Sequence, residues 1–167
     1  MRTTDLALFN LAIDSKLRGC DIVKLQVRDV AHCGKAVPRA TAMQQKTGQP
    51  VKFELTDRTR EAIEAWIAKM QLAFRQFLGP SLTRSPPIST RQYARIVKSW
   101  VAQIGLDPGD YGTHSLRRTK ATLIYKRTKN LRAVQLLLGH TKLVSTIRYL
   151  GIEVDDIALE MSEQTEV

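Results

Sequence analysis

Tyr111-Gly112-Thr113-His114-Ser115-Leu116-Arg117-Arg118-Thr119 is the stretch from which the rest of this 167-residue chain can be read. Residues from His114 to about Lys126 predict a helix, and Gly105-Leu106-Asp107-Pro108-Gly109 ends the helix before it. His114 and Arg117 stand three apart at the start of that helix and so point to one side. A phosphate can meet both. Downstream, Leu138-Gly139-His140 sets a second histidine just past a glycine helix stop, held on backbone rather than in a helix face. Nine residues further, Thr146-Ile147-Arg148-Tyr149 puts a tyrosine near the end of the next helix. Each has an ordinary structural explanation: His114 as a helix N-cap, His140 as the partner of a helix C-terminal dipole, Tyr149 as a half-buried aromatic. Their order and spacing over residues 114–149 argue instead for phosphate chemistry.

Working outward, Leu8, Leu11 and Ala12 recur at helical spacing between Asp5 and Lys16, so an amphipathic helix opens the chain and ends near Arg18-Gly19. A shorter helical turn, Asp21 through Leu25, leads to Val27-Arg28-Asp29-Val30, which reads as the start of a strand. Pro38 to Gln45 and Val51 to Leu55 predict two further strands, joined by Lys46-Thr47-Gly48-Gln49-Pro50 as a tight connection. Lys46 is thereby placed at the rim of a hairpin. Thr56 is a good N-cap for a helix from Asp57 to about Phe74, with Ala62, Ile63, Trp66, Ile67 and Met70 as its apolar stripe. Leu78 to Pro87, with four Gly and Pro residues, predicts a loop. Ser89 and Gln92 then form a capping box for a helix reaching Ile104. After the helix at His114 come two more, Leu131 to Leu138 ended by Gly139 and Lys142 to Leu150 ended by Gly151. The pattern is a mostly helical α+β domain with one small antiparallel sheet, of a size suited to one compact unit.

Charge and cysteine content bound the partners and the setting. All 26 Lys and Arg lie in the first 150 residues beside ten of the 16 acids, a balance of +16, whereas the whole chain carries +10. Such an excess concentrates polyanions and makes association steep in salt, so nucleic acid leads as partner, with a basic protein of no nucleic-acid role as the alternative. Cys20 and Cys33 lie thirteen apart with no ligand spacing around them, so neither a metal site nor a disulfide framework is expected and a reducing cytoplasm is the natural setting. No apolar run is long enough to span a bilayer.

His-x-x-Arg, Leu-Gly-His and a tyrosine nine residues after that histidine together resemble the C-terminal signature of the tyrosine recombinases, the phage integrase family. Upstream, Lys16-Leu17-Arg18-Gly19-Cys20-Asp21-Ile22-Val23-Lys24-Leu25 resembles the family's first arginine motif, and Gln45-Lys46-Thr47-Gly48 its lysine hairpin. The four motifs come in order and the resemblance covers residues 5 to 160. It implies the catalytic-domain fold of that family and an enzyme that cleaves and rejoins DNA through a 3′-phosphotyrosyl intermediate, without metal, cofactor or ATP. Tyr149 is then the nucleophile; Arg18, Arg117 and His140 stabilise the phosphoryl oxygens; Lys46 protonates the expelled 5′ oxygen; His114 manages the proton at the tyrosine. Asp21 supports the arginine and histidine geometry from behind. Arginine suits the first role because its fork matches phosphate and keeps its charge at any working pH. Arg118, Lys120, Lys126, Arg127, Lys129, Arg132, Lys142 and Arg148 are expected to line the DNA face, with a solvated helix surface as the plainer reading.

Two features depart from the family pattern. The core-binding domain that most relatives carry before the first catalytic helix is absent from this sequence, which fits a short member or a fragment of a longer chain, with an accessory protein or further subunits completing the clamp. Residues 1–150 are expected to form the catalytic domain. Beyond them, residues 151–167 form an acidic tail with a Val154, Ile157, Ala158, Met161 stripe, suited to docking on a neighbouring subunit of a tetramer or on its own domain. Other readings of the chemistry are a DNA-binding regulator with the same fold and little catalysis, and strand passage of the type IB topoisomerase kind.

Overall fold

The computed structural model describes residues 3–79 and 87–152. Its elements run α1 (Thr3–Ser15), α2 (Gly19–Ile22), α3 (Val27–Val30), β1 (Ala31–His32), β2 (Lys35–Ala36), β3 (Arg39–Met43), β4 (Pro50–Glu54), α4 (Asp57–Met70), α5 (Thr90–Gln103), α6 (Thr113–Thr128), α7 (Leu131–Leu138) and α8 (Leu143–Leu150). The mostly helical α+β order expected from the sequence is present. The chain divides into two compact units, residues 1–120 and 121–167, where length alone pointed to one. The stripe at Val154, Ile157, Ala158 and Met161 and most of the predicted loop before Pro87 lie outside the described residues. Among the described residues no helix is long and apolar enough to cross a membrane.

In the first unit α1 packs on α4, and both feed one core. Ala7, Leu8, Leu11 and Ala12 bury one face of α1, and Ala62, Ile63, Trp66 and Ile67 bury the predicted stripe of α4. β3 and β4 pair antiparallel in the register Ala40↔Phe53 and Ala42↔Val51. Those four residues are buried while their neighbours along each strand are exposed, so the period-2 pattern sets the inward face. Small alanines opposite Phe53 and Val51 leave room for helix packing. Burying Phe53 alone stabilises the fold by about 2 kcal/mol. In the second unit a separate cluster of Ala121, Tyr125, Val134, Leu138 and Leu150 holds α7, α8 and the last turns of α6 together.

Four expectations need correction. Val27–Val30 is a helical turn, α3, and not the start of a strand, because the Gln26 N–H donates to the Asp29 carboxylate at 2.8 Å and closes one turn. Among the described residues, two two-stranded sheets replace the single sheet: β1 and β2 form a second hairpin, His32↔Lys35, around Cys33 and Gly34 at φ 47° and 77°. Two consecutive left-handed residues make the tight turn that suits the twist of paired strands, and Gly34 was its sequence signal. Finally, α4 stops at Met70 rather than Phe74, because Gln71 turns left-handed at φ 50° and the Leu72 N–H reaches back to the Ile67 carbonyl at 3.1 Å. Nor does Thr56 cap α4 with its side chain.

The Thr56 hydroxyl is used elsewhere. It donates to Asp14 Oδ2 at 2.8 Å, beside the Thr56 N–H at 2.8 Å and the Thr59 hydroxyl at 2.6 Å. Lys120 Nζ, from α6, approaches Asp14 Oδ1 at 2.5 Å. One buried carboxylate at the end of α1 thus ties the start of α4 and the middle of α6. Burial pushes the Asp14 carboxyl up, but hydrogen bonds from Lys120, Thr59 and Thr56 more than offset this and hold it below its ordinary value of 3.8. Next to it, Lys16 is 4% exposed at a left-handed φ of 54° and donates to the Asp14 carbonyl at 2.9 Å. Burial and the nearby Lys120 charge drive its ammonium down to about 8, against opposing pulls from Asp14 and Glu54.

Two outcomes follow for stability. Asp14→Ala should cost about 3 kcal/mol in urea unfolding, because it strands several buried donors. The contribution of the Asp14 carboxylate is present above pH 3.8 and is lost as pH falls through its lower folded value. Lys16 has the opposite sign: an unfolded lysine near 10.5 keeps its proton where the folded one resists it, so the native state is penalised in full below pH 8. Lys16→Met should therefore be more stable than the parent at pH 7, and the gap should narrow as pH is raised from 8 toward 10.5. A gap that is flat with pH would refute the assignment.

Candidate active site

Arg18 sits at the N-cap of α2 with extended backbone, φ −70° and ψ 154°. Its carbonyl accepts from the Asp21 and Ile22 N–H groups at 2.9 Å each, so the short helix fixes the base of the side chain. The guanidinium Nη1 donates to Gln44 Oε1 at 2.8 Å. Gln44 leads into the connection between β3 and β4, and the Thr47 hydroxyl donates to the same oxygen at 3.0 Å. Asp21, 3% exposed, accepts from the Gln45 N–H at 2.9 Å through Oδ1, and Gln45 Nε2 donates to the Cys20 carbonyl at 2.6 Å. The first arginine motif and the lysine turn are thus joined side by side. Lys46 lies exposed in that turn, as the hairpin reading expected. Asp21, expected behind the arginine and histidine, supports the Lys46 turn through Oδ1, while its buried Oδ2 makes no hydrogen bond among the described residues. Burial and the Asp21 carboxylate raise the Cys20 thiol above its ordinary range, which makes it a poor nucleophile.

His114 and Arg117 ride on the first turns of α6, His114 exposed and Arg117 2% exposed. The Ser115 hydroxyl accepts from the Gly112 N–H at 3.1 Å and closes the helix start. A methyl group placed on Gly19 would stand 3.4 Å from the Tyr93 ring and 3.7 Å from the Thr113 hydroxyl. The residue after Arg18 therefore lies against the start of the helix that carries His114. Tyr93 itself is buried, and burial pushes its phenol far above the ordinary range. It is core.

In the second unit, Gly139 takes φ 64° and ends α7, turning the chain so that His140 leaves the helix surface. Gln135, 2% exposed, donates through Nε2 to the carbonyls of His140 at 2.9 Å and Thr141 at 3.2 Å. His140 Nδ1 and the fully buried Thr146 hydroxyl are 3.1 Å apart. When that hydroxyl donates to Nδ1, the ring carries its hydrogen on Nε2, the form that can donate to an anionic oxygen. The Tyr149 ring meets the His140 ring edge to face, with centroids 5.4 Å apart at 84°. Tyr149 is half-buried on the second-unit cluster, two residues before the helix stop at Gly151, φ 69°.

Gln44, Thr47, Gln135 and Thr146 escaped the sequence reading. Two of them left a signal. Gln44 falls on the inward phase of β3 after Ala40 and Ala42, and Gln135 lies in the stripe of Leu131, Val134 and Leu138. A polar side chain at a core-facing position needs a hydrogen-bond partner, so each marks a structured site. Of the expected DNA-facing residues, Arg118, Lys126, Arg127, Lys129, Arg132, Lys142 and Arg148 are exposed. Lys120 is partly buried in its ion pair with Asp14, and Arg132 donates to Gln135 at 2.7 Å.

Comparison with known proteins covers both units. Residues 1–155 match the phage integrase family. The probable integrase/recombinase YoeC of Bacillus subtilis (strain 168) is 33% identical over 151 residues, 90% of this chain and 79% of YoeC. Tyrosine recombinase XerC of Neisseria gonorrhoeae is 33% identical over 157 residues, 92% of this chain and 49% of XerC, so the chain spans about half the length of that relative. In solved structures, XerA recombinase aligns with a TM-score of 0.76 at 18% identity, over 99% of this chain and 59% of XerA. XerH site-specific recombinase bound to its difH substrate also aligns with a TM-score of 0.76 at 18% identity, over 99% of this chain and 48% of XerH. At that identity the likeness is one of fold. The motif order, the fold and a family match over nearly the whole length agree: the chain belongs to the phage integrase family of tyrosine recombinases.

Proposed function

We propose that this chain cleaves and rejoins double-stranded DNA through Tyr149. The observation that carries the reading is the His140–Tyr149 pair, in which the histidine ring is anchored through Thr146 and its backbone through Gln135, while the tyrosine ring packs on its edge. In the step proposed, Tyr149 Oη attacks phosphorus, the bond to the 5′ oxygen breaks, and a 3′-phosphotyrosyl ester forms. The tyrosine proton leaves through His114, and Lys46 supplies a proton to the departing 5′ oxygen. Religation reverses these transfers with a 5′ hydroxyl as attacker. The ester retains the energy of the broken bond, so the exchange has no need of a nucleotide.

Charge builds on the non-bridging oxygens as the phosphorus becomes five-coordinate. Arg18, Arg117 and His140 are the donors assigned to it, and each preorganised donor lowers the barrier by about 3 kcal/mol. The buried setting of Arg117 favours this role, because a charge with little water around it acts more strongly on a phosphate. Exposed basic residues on α6, α7 and α8 supply the sequence-independent attraction for the DNA backbone.

Incubation with nicked duplexes taken from the DNA flanking the gene should yield a covalent protein–DNA adduct that Tyr149→Phe abolishes. An adduct that survives this change would overturn the assignment of the nucleophile. Salt-dependent binding with no adduct on any duplex would mark a DNA-binding regulator, and relaxation of supercoiled plasmid without a preferred site would mark a topoisomerase. Thr146→Val should slow single-turnover cleavage about 10-fold by loosening the His140 ring, a smaller loss than removal of a donor outright. DNA affinity should hold, and unfolding should shift by about 1 kcal/mol.

A further inference from the structure

Gln44 is 1% exposed and occupies the meeting point of two pieces of the site in the first unit. Its N–H donates to the Gln49 carbonyl at 3.0 Å and its carbonyl accepts from the Gly48 N–H at 2.8 Å, so its backbone closes the turn that carries Lys46. Its side-chain oxygen accepts from Arg18 Nη1 at 2.8 Å and from the Thr47 hydroxyl at 3.0 Å. An amide oxygen has two lone pairs, and these two donors use both. We propose that Gln44 is a positioning residue that sets the Arg18 fork and the Lys46 turn together, so that charge stabilisation and proton delivery are assembled as one unit; this rests on the strand-exchange reading above.

The chemistry of the acceptor matters as much as its place. A carboxylate in this position would hold Arg18 at least as firmly, through a charge-assisted bond, but would neutralise the charge that a phosphate needs. An amide holds the fork and leaves its full positive charge available. A thioether of similar length fills the space and holds nothing. These three side chains therefore separate holding from charge.

Single-turnover cleavage of the nicked duplex should be measured for the parent, Gln44→Met, Gln44→Glu, Arg18→Ala and the Gln44→Met/Arg18→Ala double variant, with DNA affinity and thermal unfolding alongside. Gln44→Met should cleave about 30-fold more slowly with DNA affinity within about 3-fold of the parent, and should add less than about 3-fold in the Arg18→Ala background. Gln44→Glu should melt no lower than the parent and yet cleave at least as slowly as Gln44→Met. Additivity in the double variant would overturn the proposal, and cleavage of Gln44→Glu at the parent rate would overturn the part of it that requires a neutral amide as the acceptor. A duplex whose scissile 5′ oxygen is replaced by sulfur has a leaving group that needs no proton. It should restore part of the Gln44→Met rate, as it should for Lys46→Ala; no restoration would overturn the link to Lys46. If the parent forms no adduct on any duplex, the strand-exchange reading fails by itself, and the positioning is then decided without DNA. The Arg18 guanidinium resonance, identified by its loss in Arg18→Ala, should show restricted rotation in the parent and free rotation in Gln44→Met. Equal behaviour in the two would overturn the proposal, and if Gln44→Met does not fold, Gln44→Asn serves in its place, its shorter amide falling short of Arg18.

Discussion

The Asp14 carboxylate is the constraint on which the first unit depends. A carboxylate removed from water must be compensated by donors, and here they come from the first turn of α4 and from Lys120 of α6. Meeting that requirement brings the end of α1, the start of α4 and the body of α6 to one point. The consequences reach the site directly. Two residues after Asp14 the chain turns left-handed at Lys16, and two residues later it delivers Arg18 to the hairpin; α6, held by Lys120, carries His114 and Arg117. The cost of a buried lysine beside the pin is accepted in the same arrangement.

A second regularity runs through the residues assigned to chemistry. Arg18 follows Lys16 at φ 54° by two positions, Lys46 precedes Gly48 at φ 63° by two, His140 follows Gly139 at φ 64°, and Tyr149 precedes Gly151 at φ 69° by two. A left-handed residue ends a helix or closes a turn, so a side chain next to it is rigidly based but not absorbed into an apolar stripe. At three of the four places glycine adopts that conformation without strain. At the fourth a lysine does so and is locked by burial. His114 and Arg117 are the exceptions, presented instead by consecutive turns of a helix start.

Buried amides complete the arrangement. Gln44 and Gln135 each occupy a position where the pattern of the element calls for an apolar side chain, and each spends hydrogen bonds on a segment that presents a residue of the proposed site. The loss of hydration on burial is offset only in one geometry, which is why such residues specify a conformation more sharply than a leucine in the same place. The second unit shows the same logic at His140, where a fully buried threonine hydroxyl addresses one ring nitrogen.

Much of this protein was legible in its sequence, because the decisive signals there are local. The helical stripes of α1 and α4, the Ser89–Gln92 capping box, the glycine stops at Gly139 and Gly151 and the alternation of β3 and β4 each depend on a few neighbouring residues. The ordered motifs around Arg18, Lys46, His114, Arg117, His140 and Tyr149 likewise announce the family. Tertiary structure decided what depends on partners distant in the chain: that Asp14 rather than a helix cap takes the Thr56 hydroxyl, that Asp21 supports the Lys46 turn, that Lys120 serves an ion pair, and that Gln44 accepts from Arg18 across 26 positions. It also decided where competing local preferences resolve, as at Val27–Val30, where a side-chain cap from Asp29 outweighs the strand preference of two valines. A hydrogen bond between residues far apart leaves no periodicity in a sequence, and only the fold that burial drives can reveal which donor meets which acceptor.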